Sequence, residues 1–338
     1  MRSQVIPGIH HVTAIAGDPQ ANLDFYTRVL GLRLVKKTVN FDDPGSYHFY
    51  FGDAAGTPGT ILTFFPWPGA YPGRVGDGMA AATAFAIPAA SLDYWMERLA
   101  GLHDDFDAPK SRLGDQVLTL RDPDGLILEL VAGEDIPAPP AVEANTAVGD
   151  GRIENSWDYA TVPAEHRVRG FHSVTLCVAG LEPTAKLLTE TFGYEAAGNE
   201  PERLRFRSPA GAHAAVVDLS RQADPPPHGR IGRGTVHHVA FRAKDEQQQL
   251  EWREAIAALG FNVTDVLDRQ YFRSIYFREP GGVLFEIATD PPGFQTDEAF
   301  EELGTHLKLP PWLEPQRQHI ERRLPPVSLA KGSTLRRG

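Results

Sequence analysis

The stretch GIHHVTAI, residues 8–15, opens the pattern that decides the fold, and versions of it return three times along the chain. The later copies are GMAAATAFAI from Gly78, GFHSVTLCV from Gly170 and GTVHHVAFRA from Gly234. Each copy is a glycine followed by a short apolar run with strand character. Four copies in order predict a chain built from repeated units, because self-similarity constrains the architecture more than single propensities do.

A helical stretch follows each opening strand and ends at a second glycine, 23 residues after the first in three copies and 26 in the fourth. These glycines, each beside a large apolar residue, are Gly31, Gly101, Gly193 and Gly260. The first stretch has an apolar stripe at helical spacing, formed by Leu23, Phe25, Tyr26, Val29 and Leu30. Gly31 stands where a left-handed C-cap is expected.

About three strands are predicted after each helix, the last of them opening at Gly59, Gly125, Gly211 or Gly282. The turns DPDG at 122–125 and EPGG at 279–282 have the composition of hairpin connections. The predicted fold class is therefore α+β, with four βαβββ units in two paired modules. We place an N-terminal domain at 1–134, a linker at 135–167, a C-terminal domain at 168–292 and a tail at 293–338.

The net charge and the cysteine content limit the kinds of molecule that the protein is expected to bind. The 338 residues carry 33 Lys and Arg against 44 Asp and Glu, a net charge of -11, which disfavours nucleic acid and anionic membrane surfaces. Cys177 is the single cysteine, so a disulfide or a four-cysteine zinc site is excluded within one chain. The stretch MRSQVIPGIHHV lacks a signal-like pattern and no run of about 18 apolar residues occurs, so we expect a soluble cytoplasmic protein. We expect any metal ligands to be His and carboxylates.

The repeat makes some of the twelve histidines informative. The pair His10-His11 in the first unit returns as His237-His238 in the fourth. A lone histidine on a strand is more often structural, but alternation along a strand turns the two members of each pair to opposite faces. One histidine of each pair can therefore face a cavity while the other supports it.

The last strands place a carboxylate in register with these histidines. Four residues after the opening glycine stand Glu286 in unit four, Glu129 in unit two and Thr63 in unit one. A buried carboxylate is costly unless it is paired or binds a cation. Two imidazoles and one carboxylate, His11, His238 and Glu286, are a ligand set that suits non-haem Fe(II) with open positions for substrate and O2.

Units two and three give a degenerate copy of this set. Their matching positions are Glu129, Ser173, Ala81 or a neighbour, and either Ala215 or Asp218, with no imidazole among them. We predict a structural role there, with Glu129 paired to a cationic side chain or a hydroxyl.

The motifs resemble the vicinal oxygen chelate superfamily, which includes glyoxalase I, bleomycin-resistance proteins and extradiol dioxygenases. The residues IPGIHHVTAI, RGFHSVTL, GTVHHVAF, DRQYFRSIYFREPGGVLFE and the stretch 293–298 are similar to ring-cleaving dioxygenases of this superfamily, among them the hydroquinone 1,2-dioxygenases. The resemblance covers nearly the whole chain. It implies open, barrel-like sheets with the helices outside, and an Fe(II) or Mn(II) enzyme that acts on a small aromatic substrate and O2.

The resemblance also implies roles for individual residues. It puts the metal on His11, His238 and Glu286, in agreement with the repeat. It puts His10, His237, Arg269 and Tyr276 around the substrate pocket as catalytic residues. Tyr276 and His237 would transfer protons or hold substrate oxygens, Arg269 would stabilise negative charge, and His10 would orient the ligands.

Three alternatives remain at this stage. The first is a glyoxalase-type isomerase or lyase, which usually needs a fourth protein ligand where Thr63 stands. The second is a binding protein without catalysis, which would not need the complete His, His, Glu set. The third is an interaction role for the tail segment LPPWLEPQRQHIERRLPP, which is compatible with catalysis. The oligomeric state stays open, a homo-oligomer included.

Overall fold

The computed structural model describes residues 5–103, 105–133, 161–211, 213–221 and 228–329. In these residues the four predicted units are confirmed, since each runs strand, helix, three strands. Unit one consists of β1 (Ile9–Ala16), α1 (Pro19–Asp24), β2 (Arg33–Asn40), β3 (Asp43–Gly52) and β4 (Ile61–Pro66). Unit two consists of β5 (Met79–Pro88), α2 (Leu92–Leu102), β6 (Lys110–Arg112), β7 (Asp115–Arg121) and β8 (Ile127–Gly133).

The second half of the chain repeats this order. Unit three consists of β9 (Phe171–Cys177), α3 (Leu181–Lys186), β10 (Glu195–Glu200), β11 (Arg203–Arg207) and β12 (Val216–Ser220). Unit four consists of β13 (Thr235–Ala243), α4 (Glu246–Ala258), β14 (Leu267–Asp268), β15 (Phe272–Arg278) and β16 (Leu284–Pro292). The last strand of unit three begins later than Gly211 suggested. Asp218, and not Ala215, therefore stands at the position that matches Thr63.

The strands form two eight-stranded sheets, and each sheet takes one unit from each half of the chain. The first sheet has the order β14-β15-β16-β13-β1-β4-β3-β2, and the second has β10-β11-β12-β9-β5-β8-β7-β6. Unit one therefore shares a sheet with unit four, and unit two with unit three. The antiparallel pairs β1 with β13 and β5 with β9 join the two halves. These sheets and their helices confirm the predicted α+β architecture of open, barrel-like sheets.

Helices pack their apolar side chains against the sheets. Trp95 and Leu99 of α2 are fully buried, as are Ile256 of α4 and Phe192 after α3. The helix-ending glycines fit the prediction in three units, where Gly31, Gly193 and Gly260 have φ of 67°, 75° and 88°. Gly101 differs, because α2 continues through it to Leu102. No helix in the described ranges is both long and apolar enough to cross a membrane.

The tail lies across the edge of the first sheet formed by β2 and β3. Leu307 forms a bridge with Lys37, and the Tyr47 hydroxyl donates to the carbonyl of Pro325 at 2.9 Å. Lys36, fully buried on β2, reaches Asp297 at 2.6 Å and Glu298 at 2.5 Å. One more helix, α5 (Arg317–Arg323), belongs to the tail. Most of the predicted linker and the end 331–338 lie outside the described residues, and the domain boundaries remain predictions.

Candidate active site

Three side chains meet inside the first sheet. β1 contributes His11, the antiparallel β13 contributes His238, and β16 contributes Glu286 through its parallel pairing with β13. The Oε2 atom of Glu286 lies 2.9 Å from Nε2 of His238 and 3.3 Å from Nε2 of His11. The two Nε2 atoms are 3.4 Å apart. The sequence placed these three residues in one set, and the fold brings them together although their separation in sequence reaches 275 residues (286 minus 11).

The chemistry of this cluster fits a divalent cation. All three ligand atoms lie within 4.8 Å of one another, and all three residues are buried. Glu286 is fully buried, and within the described part of the chain its Oε2 makes no well-directed hydrogen bond. Burial would raise the pKa of this carboxyl, but His11 and His238 hold it well below its ordinary value. A buried carboxylate between two imidazoles is a donor set that Fe(II) and Mn(II) accept.

Each histidine of the cluster is held by the histidine before it. Nδ1 of His10 lies 2.9 Å from Nδ1 of His11, and Nδ1 of His237 lies 2.8 Å from Nδ1 of His238. If Nε2 of His11 or His238 binds a cation, its proton is on Nδ1, so the preceding histidine accepts at Nδ1 and carries its own proton on Nε2. His237 then presents an N–H donor to the cavity that it lines.

A cavity of about 350 Å³ opens beside the cluster. Its lining residues are His11, Thr13, Asn40, Phe41, Asp42, His48, Tyr50, Phe65, Trp67, His237, His238, Arg269, Phe272, Tyr276 and Leu284. Apolar side chains, Phe41, Phe65, Trp67, Phe272 and Leu284, stand among many polar ones in this lining, and such a concave site suits a small molecule. His10 is absent from the lining. Unlike the pocket position that the resemblance implied, His10 lies against His11 and Phe272. Alternation does not send the paired histidines to opposite faces as expected, because the β1 and β13 register shifts between Ile9 and His11 and between Thr13 and Ala14, and the rings of each pair meet.

Arg269 and Tyr276 form one polar wall of the cavity. Nε of Arg269 donates to the Tyr276 hydroxyl at 3.3 Å, and Nη1 donates to Asp42 at 3.1 Å. Tyr276 stands opposite Glu286 in the β15 and β16 pair, and its ring meets that of His238 edge to face at 5.6 Å. Burial raises the pKa of Tyr276 above its ordinary value, so the phenol stays protonated at neutral pH.

The opposite wall contains residues that the sequence analysis missed. Thr63, at the fourth equivalent position, is 2.8 Å from the Thr13 hydroxyl and 2.9 Å from Nε2 of His48. Nδ1 of His48 lies 2.9 Å from the Tyr50 hydroxyl. Thr63 is therefore occupied by side-chain hydrogen bonds. Alternation along GSYHFYF, residues 45–51, puts His48 and Tyr50 on one face, which is the signal that could have identified them.

The second sheet has ion pairs at the matching positions. Register places Ser173, Ala82 and Glu129 where the first sheet has His11, His238 and Glu286. Nη1 of Arg112 contacts both oxygens of Glu129, at 2.8 and 2.7 Å. The prediction named Ala81 or a neighbour for the position of His238, and the register identifies this residue as Ala82. The three matching residues therefore include no imidazole. A structural role for Glu129 agrees with this pairing.

Comparison with known proteins gives concordant results. The profile of the Glyoxalase/Bleomycin resistance protein/Dioxygenase superfamily matches residues 8–130 and 170–287. MhqO of Bacillus subtilis (strain 168), named as a candidate ring-cleaving dioxygenase, is 47% identical over 325 residues, with 95% of this chain and 97% of the relative covered. The chlorohydroquinone/hydroquinone 1,2-dioxygenase of Sphingobium indicum is 35% identical, with 91% and 93% covered.

A solved structure supports the same relationship. The crystal structure of a candidate dioxygenase from Bacillus subtilis subsp. subtilis superimposes with a TM-score of 0.88 at 45% identity. The alignment covers 97% of this chain and 100% of that chain. Both the fold and the matched length are therefore shared with these relatives.

Proposed function

Because the chain belongs to the glyoxalase/bleomycin resistance protein/dioxygenase superfamily, we propose that it is a metal-dependent ring-cleaving dioxygenase for a hydroquinone- or catechol-type substrate. The dioxygenase assignment is supported by relatives that match over nearly their whole length. The finer assignment is an Fe(II) enzyme, with Mn(II) as the other metal that the ligand set accepts. Small aromatic molecules and O2 are its proposed partners.

The observation that carries this proposal is the position of the His, His, Glu cluster beside a cavity with aromatic walls, which His11 and His238 line. His11, His238 and Glu286 would hold the metal, and Thr63, tied to His48 and Thr13, leaves the fourth side without a protein ligand. A glyoxalase-type site usually needs a fourth ligand there. When bound, Fe(II) would lower the pKa of a coordinated substrate hydroxyl and make reaction with O2 accessible.

The chain's own residues would bind and orient the substrate. Tyr276 can donate a hydrogen bond from its protonated hydroxyl, and Arg269 supplies a fixed positive charge that Tyr276 and Asp42 aim into the cavity. The N–H of His237 can hold a second substrate oxygen. Burial lowers the pKa of His237 to about 3, so this residue acts as a neutral donor near pH 7.

His10 has a positioning role in this proposal, because it contacts His11 and not the cavity. Loss of such a partner typically reduces metal affinity or activity about 10- to 100-fold. Phe65 and Trp67, stacked at 5.7 Å, form an apolar wall against which an aromatic ring can pack.

The test is anaerobic reconstitution with Fe(II), followed by measurement of O2 uptake and product spectra with hydroquinone, catechol and their alkyl derivatives. We expect O2 consumption that depends on the aromatic substrate, and its loss together with loss of iron in His11→Ala, His238→Ala and Glu286→Ala. Glu129→Gln is the matched control, since it changes the equivalent carboxylate in the other sheet.

Full activity in any of the three alanine variants would contradict the site. Tight binding of a redox-inactive metal without O2 uptake would favour the isomerase or lyase. Stoichiometric binding of aromatics without turnover would favour the binding protein.

A further inference from the structure

Four side chains form one hydrogen-bonded row along the cavity wall opposite Tyr276. The row runs from Thr13 to Thr63 at 2.8 Å, from Thr63 to Nε2 of His48 at 2.9 Å, and from Nδ1 of His48 to Tyr50 at 2.9 Å. The ring of His48 is fixed between Tyr50 and Phe65, whose centroids are 4.0 and 4.4 Å away. Both end members, Thr13 and Tyr50, line the cavity, while Thr63 lies behind it.

Every group in this row can donate and accept a hydrogen bond. A hydroxyl does both, and a neutral imidazole donates from one nitrogen and accepts at the other. Burial, with His11 and His238 as further contributors, lowers the pKa of His48 well below its ordinary value, which keeps the ring neutral. All hydrogen bonds of the row can therefore reverse their donor-to-acceptor direction together when the His48 imidazole changes tautomer.

The second sheet shows that a structural role does not need such groups. At the positions that match Thr13, Thr63, His48 and Tyr50 it has Thr175, Asp218, Arg203 and Arg205. Nη1 of Arg203 donates to Thr175 at 2.9 Å and to Asp218 at 3.1 Å, and Arg205 donates to Asp218 at 2.8 Å. An arginine keeps its charge and its donors in place, so that row is fixed in one direction.

We propose that His48 is the centre of a proton relay that connects two points of the cavity, Thr13 beside the His11 and His238 cluster and Tyr50 at the other end of the row. His48 is a positioning residue in this relay, because it exchanges protons with Thr63 and Tyr50 and not with the substrate, although its ring also lines the cavity. The proposal rests on the proposed function for the identity of the proton donor, an aromatic hydroxyl.

The transfer conserves protons and charge within the row. At the start, Thr13 donates to Thr63, Thr63 donates to Nε2 of His48, and Nδ1–H of His48 donates to Tyr50. The substrate O–H bond breaks and its proton joins the Thr13 oxygen, while Thr13, Thr63 and His48 each pass their own proton onward. Tyr50 gains the Nδ1 proton and releases its original proton to water or to an anionic substrate oxygen.

Kinetic tests use three variants that interrupt the row, namely His48→Gln, Thr63→Val and Tyr50→Phe. Glutamine keeps a donor and an acceptor but has no ring tautomer to exchange. In the metal-loaded enzyme we expect kcat to fall about 10- to 100-fold with KM changed less than about 3-fold. The double variant His48→Gln with Thr63→Val should be no slower than either single variant, because the row acts as one unit.

The matched control is Thr38→Val. Thr38 stands directly across from His48 in the β2 and β3 pair, and its buried hydroxyl has no hydrogen-bond partner among the residues that the structure describes. Its removal should leave kcat unchanged. Retention of full kcat in His48→Gln, or a loss in Thr38→Val equal to that in Thr63→Val, would overturn the relay.

Nitrogen NMR of the metal-free protein gives a readout that is independent of activity. Tyr50→Phe should put the His48 proton on Nε2, where Thr63 accepts it, and Thr63→Val should put it on Nδ1, where Tyr50 accepts it. If the His48 tautomer is the same in both variants and the wild-type enzyme is active, the relay is overturned. If the His48 tautomers respond as expected but no aromatic substrate supports O2 uptake, the proposed function fails. The inference that the hydrogen-bonded row can reverse its direction is then retained.

Discussion

Glu286 and Glu129 occupy equivalent positions in the two sheets, and replacing each by Gln should separate metal binding from structural pairing. Glu286 is fully buried, and its ion-pair partners in the described residues are the imidazoles of His11 and His238. Glu129 is 4% exposed and bound through both oxygens by Arg112. In the proposed function the first carboxylate would bind a metal cation from outside the chain, whereas the second already pairs with Arg112.

The magnitudes follow from this difference. With metal at 100 times its dissociation constant, binding should stabilise the wild-type protein by about 2.7 kcal/mol. Loss of a residue that merely supports a ligand weakens binding by up to about 100-fold, so loss of the Glu286 ligand should weaken it by at least about that factor. The metal-linked gain of Glu286→Gln should then be at most about 0.4 kcal/mol at the same metal concentration.

Glu129→Gln should behave in the opposite way. It leaves Arg112 without its carboxylate and should lower the free energy of unfolding by about 3 kcal/mol, with or without metal. Its metal-linked gain should stay at about 2.7 kcal/mol. Urea unfolding with a chelator and with added Fe(II) under anaerobic conditions measures both quantities. A wild-type metal-linked gain in Glu286→Gln, or its loss in Glu129→Gln, would refute the assignment of the two carboxylates.

Three further predictions concern other parts of the molecule. Tyr276→Phe should keep the metal and reduce kcat by about 10-fold or more; loss of metal in this variant would instead make Tyr276 a ligand. Lys36→Met leaves the carboxylates of Asp297 and Glu298 without their buried cation, so the free energy of unfolding should fall by about 3 kcal/mol. Proteolysis of the tail should become faster, and an unchanged cleavage rate would contradict the role of Lys36 in holding the tail. Burial lowers the pKa of His172 to about 4, so the unfolded chain binds this proton more tightly than the folded one. Stability should therefore fall by up to about 1.4 kcal/mol per pH unit as the pH decreases from about 6.5 to about 4, and His172→Asn should lack this component in acid titrations of unfolding.

The repeat predicted the four units because each keeps an opening glycine and a fixed spacing to the helix end. Gly234 shows why that residue type is needed, since its φ is +79° and a Cβ there would lie 2.1 Å from the carbonyl oxygen of Asp124. The pairing of sheets was harder to predict. Dividing the sequence into an N-terminal and a C-terminal domain does not reveal that each sheet combines one unit from each half. The antiparallel pairing of β1 with β13 joins strands that lie far apart in the sequence.

The candidate ligands could be predicted because the repeat supplied their register, and register decides which face a side chain takes. His48 could not be found in this way. No second unit repeats a histidine there, since Arg203 stands at the matching position. The contact between Arg269 and Asp42 was also inaccessible, because it joins opposite edges of one curved sheet across 227 residues.

The two sheets answer the same physical problem in different ways, and this contrast supports the proposed metal centre. Each keeps a carboxylate inside an apolar strand, where an unpaired charge would cost several kcal/mol. In the second sheet Arg112 compensates Glu129. In the first sheet the nearest guanidinium on the cavity wall, Arg269, is directed to Tyr276 and Asp42 and not to Glu286. Two imidazoles flank the Glu286 carboxylate, and no guanidinium of the described cavity wall is directed to it. These three side chains are the donors of the proposed metal site, and the two imidazoles line the cavity in which the substrate would bind.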